Sequence, residues 1–464
     1  MEEPVAMTAL ANDTSYGRDS SVHPVDEFIP PLRILLLAIQ NVAVMYTGAV
    51  AVPLIIGNAL HLSTEQISVL IQSDLITCGI ATIIQTVGFW RFGVRLPMMQ
   101  GLTFAALSPL IAIGTDPGFT QLGPTGGLQA IYGAVIIAGI VSLLLAPIGA
   151  YVVRIFPPVV VGSILITIGL SLIPVAIQYA KGGFVADAGN PRYIMLALAV
   201  LSTIILIYVF GKGFVRNIAV FLGLIIGSVI AGFMGMLDLS EVSSSAPIAL
   251  VSPLHFGPPT FHFVPILMLC MILAITWVES IGTTIILGEI VDRKPTRRTF
   301  SDLLRADGLA TIIGGFFNSF LYVSITENVA LITITGVKSR WVVALAGVLL
   351  VLLGLSPFLA MFVASLPKPV VGGVGFVIFS CLVVFGIKVV RKIDFDTTFN
   401  NYFTIGISIV MSVIPLVSPD FFKFMPQWSQ PIFGSSAILG ALTAIGLNLG
   451  LNGFSEDNEL VLEE

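Results

Sequence analysis

Apolar runs with no polar face constrain this chain most. Residues 198–210 and 342–355 are almost wholly apolar. They lack the apolar–polar alternation of a membrane barrel strand. A stretch with no water-facing side belongs inside a bilayer, where only a helix or a closed barrel satisfies its own backbone. Charged residues make up 10% of the chain, against about 25% in a soluble domain. The reading is an all-α polytopic membrane protein. Its 45 glycines and 27 prolines suit close helix contacts and interrupted helices.

A spanning helix needs about 20 apolar residues. That places spans near 32–57, 64–88, 130–152, 155–176, 191–210, 217–235, 264–290, 341–362, 368–388, 401–418 and 432–450. Segments near 97–113, 303–318 and 322–335 are shorter, or broken by Gly, Pro or polar residues. Fourteen spans are expected in all. With the N-terminus in the cytoplasm, Lys181, Arg192, Lys368 and Lys423 fall outside, and the other seventeen of the 21 Lys and Arg fall inside. That is the positive-inside pattern, and it places both termini in the cytoplasm. Residues 1–30 lack the basic start and apolar core of a signal peptide. They read as a disordered cytoplasmic tail, as does the acidic end at 453–464.

The broken segments fall in related places. Residues 100–109 lie in the third span and residues 322–328 in the tenth. Each is third in a half of seven spans, and seven is odd, so the halves have inverted topology. Paired interrupted segments in corresponding positions point to a transporter's binding site.

Polar residues gather at the same places. Glu279 lies deep in the eighth span, with Thr276 and Thr283 on its helical face. Ser324, Glu327 and Asn328 sit at the tenth-span break, and Asp307 follows Arg305 in the ninth. Asn41 is within the first span and Gln85 late in the second. Two carboxylates and an amide suit a planar heterocycle whose N–H groups are flanked by carbonyls. The bland alternatives are structural carboxylates at Glu279 and Glu327, an ion pair of Asp307 with Arg305 or Arg298, and interhelical hydrogen bonds at Asn41 and Gln85. Cys78, Cys270 and Cys381 lie in apolar segments at unrelated spacings and read as core packing. No histidine set suits a metal, and the glycines at 123–127 lack a Walker lysine, so no cofactor is expected. Without a nucleotide-binding domain, energy comes from a gradient, or transport is facilitated. No paired nucleophile and base supports an enzyme.

At Glu327, Asn328, Thr335 and Gly336 the sequence resembles the nucleobase–ascorbate transporter family, also called nucleobase:cation symporter 2. The signature there is Gln, Glu or Pro, then Asn-x-Gly, four residues, Thr, then Arg, Lys or Gly. Blocks at 156–162, 278–282, 304–308 and 336–340 resemble the family too. The resemblance implies two inverted seven-span repeats. A core domain would take 31–153 and 264–364, a gate domain 154–240 and 365–452, with an extracellular loop at 241–263. Glu279 and Glu327 would bind the base, supported by Asn328. The third span would complete the site with Thr103 and the backbone of Phe104, Ala105 and Ala106. Asp307 matches a carboxylate that transport requires. Proton symport, an elevator-like movement, a homodimer and a bacterial inner (plasma) membrane are implied, and no nucleic-acid partner. Ala330 stands where the signature has Gly. Asn41 replaces a frequent His, Thr283 an Asp or His, and Val161 a Thr. Fewer titratable groups remain, so proton coupling at Asn41 and Thr283 would be altered. Residues 278–282, 288–289 and 335–340 resemble the urate and xanthine branch. Glu327 itself is common in uracil carriers, which keeps a uracil symporter as the alternative. An anion exchanger on the same 7+7 plan is a further one, though site carboxylates repel an anion.

Overall fold

The computed structural model describes residues 22–121, 123–152, 156–183, 185–238, 240–243, 248–325, 327–391, 393, 399–426 and 429–453. At 150–152, 241, 243, 327, 330, 334 and 431 it describes the backbone alone. In the first half, α1 (Pro31–Ala59) and α2 (Thr64–Val87) precede strand β1 (Gln100–Leu102) and a short α3 (Leu107–Gly114). Then come α4 (Gly126–Val152), α5 (Pro158–Ala180), α6 (Pro191–Phe210) and α7 (Ala219–Phe233). The second half repeats this order: α8 (Phe263–Ile290), α9 (Arg297–Phe316), strand β2 (Tyr322–Ser324), a short α10 (Glu327–Thr335), α11 (Arg340–Gly354), α12 (Lys368–Val390), α13 (Asn400–Val417) and α14 (Ser436–Leu451).

Local chemistry sets many of the ends. A Ser63–Gln66 capping box opens α2, and Thr296 with Thr299 opens α9. Pro158 and Pro191 start α5 and α6, where their missing N–H is no loss. Asn318 takes φ 62°, a conformation that asparagine tolerates, and turns the chain from α9 toward β2.

Among the described residues, eight helices are long and apolar enough to cross a membrane: α1, α2, α4, α5, α6, α8, α12 and α13. A ninth is possible by counting α11 with the helix Pro357–Ala364, from which it bends by 79°. The chain is thus an all-helical, multi-pass membrane protein by length and composition. Three expected spans differ in form. The one near 341–362 breaks, because Pro357 lacks the N–H that would continue the ladder. The other two, α7 and α14, have only 15 and 16 residues.

The helices pack in a pattern that repeats. The α2–α11 pair has its counterpart in α9–α4, seven labels on. So do α1–α11 and α8–α4, α6–α7 and α13–α14, α6–α12 and α13–α5, and α7–α12 and α14–α5. These contacts sort the helices into two groups, α1–α4 with α8–α11 and α5–α7 with α12–α14. Within the first group the backbones touch: a Cβ on Gly79 would sit 2.4 Å from the Gly347 carbonyl oxygen. Contacts between the groups are fewer. Tyr179 Oη donates to the Ile55 carbonyl at 2.7 Å, and Tyr46 meets Phe221 edge-on.

The N-terminal tail expectation needs correction. Residues 1–21 lie outside the described residues, but residues 23–28 dock on the first group. Val25 is fully buried among Val94, Leu96, Val329 and Ile332. Asp26 pairs with Arg293 at 3.2 Å and with Arg340 at 2.7 Å. Phe28 stacks on Trp341 with ring centroids 4.5 Å apart. One apolar anchor and one doubly paired acid hold a segment whose composition alone reads as unstructured.

Candidate functional site

Strands β1 and β2 pair antiparallel, with Gln100 opposite Ser324 and Leu102 opposite Tyr322. All six residues are buried. Each strand leads directly into a short helix: β1 into the turn Phe104–Ala106 and α3, β2 into α10. The pairing is antiparallel, so the two short helices begin at opposite ends of the ribbon. Each brings a helix N-terminus, where the helix ladder does not use the first N–H groups, and the positive end of a helix dipole to that point. Such ends can donate to carbonyl oxygens of a ligand.

Four long helices enclose the ribbon. α1 and α2 contact β1, and α8 and α9 contact β2. α8 also touches the Phe104–Ala106 turn and α10, so the helix that carries Glu279 spans both halves of the site. Glu279 is half-buried there, and its carbonyl accepts from Thr283 Oγ1 at 2.9 Å. Thr283 Oγ1 also lies 3.4 Å from the Ser324 carbonyl. Thr276 faces inward but spends its hydroxyl on Leu273 of its own helix, at 2.8 Å. Phe104 reaches the second group of helices, where it meets Phe379 of α12 edge-on at 6.1 Å. Thr103 accepts from Ala105 N through its hydroxyl and donates its own N–H to the Leu321 carbonyl. Ala105 and Ala106 are buried beside it. Glu327 and Ala330 lie on the backbone of α10, and their side chains lie outside the described ones.

The polar residues form linked bonds across the two halves. Asn328 Nδ2 donates to Asn41 Oδ1 at 3.0 Å, which fastens α10 to α1. Gln100 Nε2 donates to Ser324 Oγ at 2.7 Å across the ribbon. Asp307 accepts from Gln85 Nε2 at 2.8 Å and from Ser280 Oγ at 2.6 Å. Ser280 Oγ accepts in turn from the Ser324 amide at 3.1 Å. The ion-pair alternative for Asp307 therefore fails: Arg305 and Arg298 pair with Asp302 instead. Asp307 connects α2, α8 and β2.

One buried acid escapes the sequence reading. Asp74 on α2 is fully buried, and its Oδ1 accepts from Tyr322 Oη at 2.6 Å and from Ser319 Oγ at 3.1 Å. The signal that could have found it is helical spacing. Asp74, Cys78, Thr82 and Gln85 form one stripe of α2, and all four are buried. A cavity of about 390 Å³ opens elsewhere, lined by Asn58, Thr64, Asp238, Ser365 and Lys368, and none of the candidate site residues lines it.

A multi-pass bundle in which two short helices start from a buried ribbon has the interrupted-helix architecture typical of membrane carriers. Residues 32–421 match the model of a permease family (Xan_ur_permease), and the chain belongs to that family. It is a permease, not an enzyme. Among its relatives, the uric acid transporter UacT of Escherichia coli (strain K12) is 41% identical, over 97% of this chain and 92% of that one. The xanthine permease of Bacillus subtilis (strain 168) is 37% identical over 93% of this chain and 96% of its own. The uric acid permease PucK of the same organism is 37% identical over 90% and 95%. Solved structures share the fold at lower identity. The transmembrane domain of the cyanobacterium bicarbonate transporter BicA matches with a TM-score of 0.60 at 16% identity, covering 92% of this chain and 99% of that one. The murine Slc26a9 anion transporter matches with a TM-score of 0.64 at 11% identity, covering 97% and 76%.

Proposed function

We propose that this chain takes up an oxidised purine nucleobase, urate or xanthine, by proton symport. The observation that carries the reading is the ribbon, flanked by two helix N-termini and by the Glu279 face of α8. An oxidised purine alternates N–H groups with carbonyls around its rim. The carboxylates of Glu279 and Glu327 accept from its N–H groups, and the short-helix N–H groups donate to its carbonyls. Relatives named as urate and xanthine carriers, at 37–41% identity, support that choice over uracil. Likeness to the anion carriers stands at 11–16% identity and is one of fold.

In this reading the fourteen segments form two inverted repeats of seven, which the repeated packing pairs support. The first helix group is a core that carries the ribbon, and the second is a gate. The thin contact between them, at Phe104 and Tyr179, suits an elevator-like movement of one against the other. Asp307, Asn41, Thr283 and Ala330 tune proton coupling and conformational change. The protein works as a homodimer in the plasma membrane with both termini in the cytoplasm. Uptake of labelled urate, xanthine and uracil into proteoliposomes with and without an inward proton gradient tests this reading. Urate or xanthine should enter, faster with the gradient, and Glu279→Ala and Glu327→Ala should abolish both binding and uptake. Unchanged binding of all three bases in both variants would sink the site assignment.

A further inference from the structure

We propose that Asp74 is a positioning residue of the transport site, acting through Tyr322 and Ser319 to set the end of the ribbon from which the Thr103–Ala106 turn departs. The proposal rests on the reading of the ribbon as the binding site.

The argument starts from the stripe on α2. Thr82 Oγ1 accepts from the Gln100 amide at 3.0 Å, and Cys78 Sγ donates to the Gln100 carbonyl at 2.7 Å. Gln85 holds Asp307. Three of the four stripe residues thus fix the start of β1 or the acid behind β2. Asp74, one turn before Cys78, fixes the remaining corner. Its Oδ1 is the shared acceptor of Tyr322 Oη and Ser319 Oγ, which also lie 2.9 Å from each other. Tyr322 begins β2 and faces Leu102, the last residue of β1. Just beyond that pair, the Thr103 amide donates to the Leu321 carbonyl at 3.1 Å. The Phe104–Ala106 turn starts there. A shift of Tyr322 therefore carries directly to the backbone donors of the third segment.

The residue type fits this role. One carboxylate oxygen can accept from two hydroxyls at once, with charge or partial charge strengthening both bonds. An apolar residue at 74 would leave Tyr322 Oη and Ser319 Oγ short of an acceptor inside a protein interior, which is costly. Asparagine keeps an acceptor oxygen of the same reach.

Two measurements test the proposal, one of them free of substrate. Hydrogen exchange reports the β1–β2 ladder directly. Asp74→Ala should speed exchange at residues 100–102 and 322–324, while Asp74→Asn should leave it near wild type. Unchanged ladder exchange in folded Asp74→Ala overturns the proposal, whatever the substrate proves to be. In transport assays with xanthine and urate, Asp74→Ala and Tyr322→Phe should each raise KM by about tenfold, the loss expected when one buried hydrogen bond fails. The double variant Asp74→Ala/Tyr322→Phe should be no worse than Asp74→Ala alone, because both break one unit. Asp74→Asn should restore KM without moving the pH profile. A fall in Vmax alone, matched to less protein in the membrane, would assign Asp74 a merely structural role. A shifted pH profile in Asp74→Asn would assign its part to charge, and either result overturns positioning through Tyr322. If wild type moves neither purine while Asp74→Ala still loosens the ladder, the functional reading fails and the positioning of the ribbon stands.

Discussion

The two helix groups are held together by different physics. In the first, side-chain hydrogen bonds cross between distant segments: Gln85 to Asp307, Gln100 to Ser324, Asn328 to Asn41, Tyr322 to Asp74, and Trp277 to Ser142. In the second, hydroxyls mostly turn back onto their own helices. Ser163 donates to the Val159 carbonyl, Thr167 to Ile164, Ser171 to Ile168, Ser228 to Leu224 and Ser408 to Thr404. Ser436, which reaches the Ser412 carbonyl on α13, is an exception. Close glycine packing, which the first group also has at Gly79 and Gly347, is left to hold the second group. A Cβ on Gly162 would lie 2.4 Å from Val390 Cγ2 and 3.0 Å from the Gly386 carbonyl oxygen. Bonds between side chains fix directions, so the first group can hold a site to a fraction of an ångström. Small-residue packing fixes distance and leaves a smoother surface. Under the proposed function, that division suits one part that holds substrate and another against which it moves.

The largest expected effect is at the polar centre. Asp307→Ala leaves Ser280 Oγ without its acceptor and Gln85 Nε2 with only the long contact to the Leu303 carbonyl at 3.4 Å, and those two residues hold the Val94 and Ser324 amides. Each orphaned group costs about 1–3 kcal/mol. Uptake should fall to background and the melting temperature should drop. Near-normal uptake would break the comparison at its strongest point. Gly162→Leu tests the other side. Overpacking costs about 1–3 kcal/mol, so thermal stability and the amount of folded protein should fall while substrate KM stays put. A raised KM there would show that the second group also shapes the site. Ala330→Gly should change transport rate more than affinity, read as a Vmax shift of a few fold at nearly constant KM. Equal rates in the two forms would remove Ala330 from the account.

How much of this was legible in the chain differs between features. The paired short segments at 100–109 and 322–328 could be read because polar and small residues interrupt apolar runs. Asn41 and Gln85 could be read as interhelical partners because amides at depth need one, and they bond to Asn328 and Asp307. The strands could not. Three residues give no period to detect, and the register of Gln100 against Ser324 comes from α2 and α8 around them. Asp74 was legible in principle, since its stripe has helical spacing, but a single acid in an otherwise apolar span is easily passed over. The break after α11 is written in Pro357. The docking of residues 23–28 is not written locally at all, because Asp26 finds its two arginines far along the chain.

That docked segment gives a small effect, and the hydroxyls of the second group a smaller one. Asp26→Ala removes ion pairs with Arg293 and Arg340, partly exposed contacts worth about 0–1 kcal/mol each. The loss should shrink in high salt, because screening weakens the pair that remains in wild type. Ser163→Ala should then be the quietest change of all. Its hydroxyl returns to the Val159 carbonyl, a carbonyl that the helix ladder already satisfies. The melting temperature and uptake should match wild type, within about 0.5 kcal/mol. Ser280→Ala, a change of the same chemistry, should not be quiet. Ser280 Oγ donates to Asp307 and accepts from the Ser324 amide, so its removal strands groups on two other elements. Measured side by side, the same hydroxyl deletion separates the two groups: equal melting temperatures and uptake in the two variants would mean that cross-segment bonding does not distinguish them.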